Sequence, residues 1–410
     1  MQSMYAPSPM PKPLEAAVSA GPVSEAGHGG PAPASGRRPH ICFLAPTTWP
    51  TFAGSKTIEV VGGAELQQTI IAKTLASRGY QVSMISIDYG QQDGTMVEGV
   101  TIHNMHKPDE GIPVVRFFYP RLSSLWGALK RVDADVYYQR TAAAYTGFLA
   151  AFCKANGKRS VYAGASDVDF IPKRQDITFT RDKKLFEYGL RRVDRVFVQN
   201  PNQLELLRKN YGREGLLIPN CYSAPADAKA DRRGSILWVA TVREQKRPEL
   251  AIEIARRLPQ FRFVMIGGFD SGRRGEEYAR AIREAAVKVP NIEFKGFVPF
   301  AEADRHFNAA RVFLNTSKYE GFPNTFLQAW SRGVPAVGFT DVGASRDGQP
   351  VYDLVASVDQ AVARLERLMG DDLAWQQASQ KVLAHHRAHH SVEAVVGQYE
   401  REFTHLARKT

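Results

Sequence analysis

Short apolar runs alternating with helix-length segments, in two successive series, constrain this chain more than any other feature. The first run, Ile41-Cys42-Phe43-Leu44-Ala45, is the unbroken kind that a parallel strand covered on both faces requires. A Pro-, Thr- and Gly-rich loop of about fifteen residues follows, long enough to suggest a functional role. Gly62-Gly63-Ala64-Glu65 then opens a helix through Ser77, with Leu66, Ile70, Ile71 and Leu75 as its apolar stripe and Gly79 as its stop. Val82 to Ile87 is the second strand. Strand, glycine turn, helix, strand is how a doubly wound α/β sheet begins. Further strands are expected at Asp135–Gln139, Ser160–Ala163 and Asp194–Asn200, and Leu216 to Asn220 closes this half. The pattern restarts at Ser235–Ala240 and continues through Arg262–Gly268, Ile292–Gly296, Val312–Leu314 and Pro335–Phe339.

The chain of 410 residues has room for two full cores, and 44% hydrophobic with 23% charged residues is ordinary globular composition. Its net charge of +11 divides as +1 over residues 1–39, +6 over 40–220 and +4 over 221–410. No part is basic enough to demand a nucleic-acid partner, whereas a phosphate-bearing ligand or an anionic surface suits the excess. Cys42, Cys153 and Cys221 are widely spaced, odd in number and without metal-ligand spacing, as expected in a reducing compartment. The N-terminus lacks the apolar core of a signal peptide, and no run reaches the length of a membrane span. A cytoplasmic protein is the expectation. Residues 1–39 are rich in Pro, Ala, Gly and Ser and have too few large apolar groups to offset their ordering entropy, so a disordered tail is expected there.

The most informative chemistry lies between Ser317 and Pro335. A strand runs into a polar turn, Glu320-Gly321-Phe322-Pro323-Asn324-Thr325, and a helix carrying Phe326, Leu327 and Trp330 follows, with Gly333 as its stop. Strand, glycine turn and helix N-terminus together favour an anion, because the first helical N–H groups lack partners. Glu320 stands at the mouth of that turn, and Gln328, eight residues on, is placed to face the same ligand.

Ser-x-x-Glu-Gly-Phe-Pro-Asn, a helix, then Gly-x-Pro resembles the donor-binding motif of family 4 glycosyltransferases of the GT-B fold. The resemblance implies two Rossmann-like doubly wound domains facing a cleft, with the nucleotide-sugar in the second domain and the acceptor mostly in the first. It gives residues 40–220 as the acceptor domain, 221–234 as a linker and 235–385 as the nucleotide-sugar domain. Residues 386–410 then form a last helix returning to the first domain. Glu320 becomes a contact to hydroxyls of the transferred sugar and Gln328 a contact to the ribose, where the family usually has Glu. Gly321, Phe322, Pro323, Asn324 and Thr325 line the donor, Phe297 lies near the base, and Gly62-Gly63 lets the backbone approach.

Family members carry Gly-Arg-Leu, three residues, then Lys where this chain reads Ala240-Thr241-Val242-Arg243-Glu244-Gln245-Lys246. Lys246 keeps its place, Thr241 replaces the Arg, and Arg243 stands two residues on. A fixed cation there stabilises the charge that grows on a departing diphosphate. Ser166 occupies the position of a family His that touches the donor sugar. Asp167-Val168-Asp169 spells a metal motif of the other large glycosyltransferase fold, but two carboxylates in a loop more often cap a turn. His385, His386, His389 and His390 read as a solvated helix end rather than a metal site. Two stretches mixing aromatic and basic residues, Val114–Val132 and Thr180–Arg195, suit sheet-covering helices and leave open a peripheral membrane contact at the inner face.

The resemblance therefore implies a retaining transferase. It moves a sugar from a UDP- or GDP-linked donor to a glycan or lipid-linked acceptor in bacterial polysaccharide biosynthesis, with no further cofactor and no metal. The departures at Thr241, Ser166 and Gln328 sustain a rival, a non-catalytic binding or scaffold subunit of the same kind of assembly system.

Overall fold

The computed structural model describes residues 37–53, 62–108, 110–112, 117–225, 228, 234–269 and 273–409. The tail expected over 1–39 lies outside the described residues as far as 36. Residues 54–61 of the first loop and 226–227 and 229–233 of the linker also lie outside them.

Eight strands form the first sheet: β1 (His40–Leu44), β2 (Gln81–Ser86), β3 (Met96–Val97), β4 (Val100–Asn104), β5 (Val136–Arg140), β6 (Arg159–Ala163), β7 (Arg195–Val198) and β8 (Leu216–Leu217). Their spatial order is β3-β4-β2-β1-β5-β6-β7-β8, parallel except for the β3–β4 pair. The second sheet contains β9 (Ser235–Val239), β10 (Phe263–Ile266), β11 (Ile292–Gly296), β12 (Ala310–Asn315) and β13 (Ala336–Gly338). After the two-stranded hairpin β14 (Ser345–Arg346) and β15 (Gln349–Pro350), β16 (Asp353–Leu354) completes it in the order β11-β10-β9-β12-β13-β16. Each sheet reverses its strand order once, between β1 and β5 and between β9 and β12. Open parallel sheets bind ligands at that reversal, in the crevice beyond the strands' carboxyl ends.

Helices α1 (Trp49–Phe52), α2 (Gly63–Ser77), α3 (Ser123–Val132), α4 (Tyr145–Ala155), α5 (Thr180–Leu190) and α6 (Pro201–Tyr211) belong to the first half. In the second half, α7 (Pro248–Arg257), α8 (Arg273–Val287), α9 (Phe300–Asn308), α10 (Asn324–Trp330) and α11 (Val358–Gly370) accompany the sheet. The chain ends in α12 (Asp372–His389) and α13 (Val392–Ala407). The α13 stripe of Val395, Val396, Tyr399 and Phe403 is at most 1% exposed and packs among Ile41, Phe43, Tyr138 and Phe197 of the first sheet. Burying each such side chain contributes roughly 1.5–3 kcal/mol, so the last helix is part of the first core.

The two passages of chain between the halves run side by side. Tyr222 N–H donates to His390 O at 3.1 Å, and His390 Nδ1 lies 2.9 Å from Asn220 O. His386 Nε2 lies 3.0 Å from Tyr222 O. His389 is exposed and His385 half-buried, but His386 and His390 are not part of a solvated helix end as the sequence suggested. His386 and His390 are 5% and 3% exposed, because neutral imidazoles satisfy backbone carbonyls that the crossing chain leaves without partners. Burial pushes His385 and His386 down to about 4 and His390 to about 3.

Candidate functional site

The reversal of the second sheet places the segment after β9 beside the segment after β12. The first ends in a turn, Glu244–Lys246, and Arg247 follows in a left-handed conformation with φ 47°. Several hydrogen bonds join the two segments. Thr316 Oγ1 donates to Lys246 O at 2.6 Å and accepts from Trp238 Nε1 at 2.9 Å. Lys318 N–H donates to Gln245 O at 2.9 Å, and Gln245 Nε2 donates to Tyr319 O at 2.9 Å. Arg247 reaches across with Nε to Thr316 O at 2.7 Å and Nη2 to Ser317 O at 3.1 Å. Within this frame the Lys246 ammonium pairs directly with the Glu320 carboxylate, the two side chains being 13% and 9% exposed. Two residues 74 apart in sequence thus meet at one point, neither sealed beneath the core. Thr241 is half-buried and Arg243 exposed on the same turn.

First-domain residues reach the same loop. Asn324 Nδ2 donates to Gly63 O at 2.9 Å, and its Oδ1 accepts from Gln67 Nε2 at 3.0 Å. A Cβ on Gly63 would stand 3.0 Å from Asn324 Nδ2. Gly62 N-caps α2 with an extended backbone. Asn220, which ends Ile218-Pro219-Asn220 at the close of the first half, donates to Phe322 O at 2.9 Å and accepts from the buried Arg140 Nη2 at 2.7 Å. Phe322 is 7% exposed and lies against His390, with ring centroids 4.6 Å apart. Pro323 caps the short helix α10, and Thr325 is half-buried in its first turn. Gln67 and Arg140 carry no spacing signal that marks them as members of a site. Only the fold brings them to it.

Ser166 is half-buried, and its N–H donates to Asp169 Oδ2 at 3.2 Å. The same oxygen accepts from Ala165 N–H at 2.7 Å and the Tyr162 hydroxyl at 2.9 Å. Burial raises the Asp169 carboxyl, and these hydrogen bonds oppose the rise. Asp167 accepts from Asn202 Nδ2 at 2.7 Å and from Asn200 Nδ2 at 3.3 Å. Both carboxylates thus fasten local backbone and amides. Among the described residues, no group of three or more His, Cys, Asp or Glu is arranged to hold a metal ion.

Gln328 is not brought to the Lys246–Glu320 surface. It is 4% exposed, and its Nε2 donates to Asp304 Oδ1 at 3.1 Å. Asp304 also accepts from the Tyr222 hydroxyl at 2.6 Å and from Arg332 Nη2 at 2.6 Å. A buried carboxylate on α9 with a fully buried guanidinium beside it recruits the amide into an internal network, away from the face the eight-residue spacing suggested. Phe297 is 36% exposed at the end of β11, beside Gly268, and Phe269 nearby is 52% exposed. None of the described helices is long and apolar enough to cross a membrane.

Residues 61–223 match the family described as Glycosyltransferase Family 4, and residues 233–371 match Glycosyl transferases group 1. No curated protein matches the chain. Among solved structures, sucrose-phosphate synthase from Thermosynechococcus elongatus is similar at 18% identity and a TM-score of 0.71, over 91% of this chain and 100% of that one. HepE from Anabaena in complex with UDP and glucose shares 14% identity with a TM-score of 0.68, over 90% and 100%. The catalytic domain of starch synthase IV from Arabidopsis thaliana, bound to ADP and acarbose, shares 13% with a TM-score of 0.66, over 91% and 100%. At such identities the likeness carries the fold: two Rossmann-like domains.

Proposed function

The chain belongs to the family 4 glycosyltransferases of the GT-B fold, and from that premise we propose that it passes a sugar from a nucleoside diphosphate sugar to a glycan or lipid-linked acceptor, keeping the anomeric configuration. The observation that carries this reading is the Lys246–Glu320 pair at the strand reversal of the second sheet. A diphosphate approaching Lys246 finds a cation already positioned, and a sugar beyond it lies within reach of the Glu320 carboxylate. As the glycosidic bond breaks, charge grows on the diphosphate, and a fixed ammonium stabilises that state more than the ground state. Arg243 on the same turn adds to the positive field. HepE was solved with UDP and glucose and starch synthase IV with ADP, which supports a nucleoside diphosphate donor.

Glu320 holds sugar hydroxyls in this scheme, and the acceptor attacks from the first-domain side. Bacterial polysaccharide assembly, with contact at the inner face of the membrane, is the setting proposed for it. Turnover of UDP- and GDP-sugars by the native protein and by Glu320→Ala tests the assignment. The substitution should lower turnover tenfold or more, about 1.4 kcal/mol of barrier. Equal rates would remove Glu320 from the mechanism. Donor binding without turnover under a broad acceptor mix would favour the scaffold reading.

A further inference from the structure

Two glutamines face the donor loop from the first domain, and each has one end without a partner. Gln199 follows β7 and Gln203 lies in the first turn of α6; they are 5% and 0% exposed. The orientation of each amide is fixed at its other end. Gln203 Oε1 accepts the Gln199 backbone N–H at 2.9 Å, so its Nε2 is the outward group. Gln199 Nε2 donates to Gly164 O at 2.5 Å, so its Oε1 is the outward group. Neither outward atom has a hydrogen-bond partner. Both converge on Gly321. A Cβ built on that glycine would lie 3.4 Å from Gln203 Nε2, 3.5 Å from Gln199 Oε1 and 3.2 Å from Ala165 O.

Leaving a buried donor and a buried acceptor unmatched is costly, and such groups call for an explanation. One donor and one acceptor side by side are what a hydroxyl satisfies, since it donates once and accepts twice. A water or a sugar hydroxyl meets that demand equally, but the position, one residue after Glu320, favours the sugar. We propose that Gln199 Oε1 and Gln203 Nε2 read a hydroxyl of the transferred sugar from the first-domain side and set which sugars are accepted. The inference rests on the transferase reading. Gly321 leaves this corner free of a side chain.

Gln203→Glu is the discriminating variant. It keeps an oxygen that accepts the Gln199 N–H and, ionised, exchanges the outward donor for a charged acceptor. Gln203→Met, which loses both ends, serves as the structural control. Calorimetry would compare UDP and GDP with UDP-glucose and GDP-mannose, and with the 4-deoxy and 6-deoxy forms of those donors. The native protein should favour one hydroxylated donor over its deoxy form by roughly tenfold or more. Gln203→Glu should reduce that preference to within about threefold while its affinity for the free nucleotide stays within about threefold. A preference unchanged in Gln203→Glu overturns the proposal, as does a parallel loss of nucleotide and donor affinity, which marks a merely structural pair. A native protein that binds no nucleotide-sugar overturns this proposal and the transferase reading together. Donor turnover with an unaltered preference overturns this one alone.

Discussion

Removing the negative charge of Glu320 while keeping its shape should tighten the binding of free nucleotide and slow sugar transfer. The carboxylate already pairs with Lys246, with both side chains largely withdrawn from water. An incoming diphosphate competes for that ammonium. Exposed pairs contribute up to about 1 kcal/mol, and breaking a buried one costs roughly 3–5 kcal/mol. At 9% and 13% exposure the pair falls between these limits, and only part of its strength is surrendered when the diphosphate arrives. About 1 kcal/mol released by Glu320→Gln corresponds to roughly fivefold tighter binding of UDP or GDP. Lys246→Met should weaken the same ligand by about tenfold or more, since a charge-assisted contact to phosphate is lost. Calorimetric titration of the native protein, both single variants and the double variant closes a thermodynamic cycle. The gain from Glu320→Gln should vanish once Lys246 is Met. Weaker nucleotide binding by Glu320→Gln, or an undiminished gain in the Lys246→Met background, would refute the competition.

Three further outcomes follow from the same structure. His385, His386 and His390 titrate below their ordinary value near 6.5, so the unfolded chain binds more protons as pH falls through 6.5 toward 4, and stability is lost over that window. Urea unfolding should show a loss of at least ~2 kcal/mol between pH 7 and pH 5, against ~1.4 kcal/mol per pH unit for one fully buried neutral histidine. A His390→Gln variant with an identical slope would count against it. Asn220→Ala strips Arg140 of an acceptor and Phe322 O of a donor inside the protein, and should cost about 2–4 kcal/mol by urea unfolding. A loss below 1 kcal/mol would deny the relay. A Cβ on Gly147 would stand 2.4 Å from Leu185 O, so Gly147→Ala should push α4 from α5 and lower stability by about 2 kcal/mol.

The strands that sequence reading located best, such as Ile41–Ala45 and Val312–Leu314, are apolar on both faces and lie at the sheet centres. Strand β4 escaped because Val100-Thr-Ile-His-Asn alternates and passes for a polar connection. Lys246 and Glu320 were legible one by one, and their contact follows from strand order once two sheets of this kind are assumed. Gln328 shows the limit of spacing. Eight residues along a helix fix a face, whereas Asp304 and Arg332, on other turns and another helix, decide what that face meets. Gln199 and Gln203 carry no signal in sequence, because the unmatched ends exist only after Gly164 and the Gln199 N–H have claimed the others.

Because β8 leads out of the first domain where α13 leads back in, and both passages are stitched together through Asn220, Tyr222, His386 and His390, the two crossings form one two-ply seam beside the contacts that Asn324 makes with Gly63 and Gln67. The first half cannot be produced by cutting the gene at the linker. Severed from residues 392–407, it would present Phe43, Tyr138 and Phe197 to water, and it should dissolve only when that helix is supplied as a separate peptide or spliced onto its end.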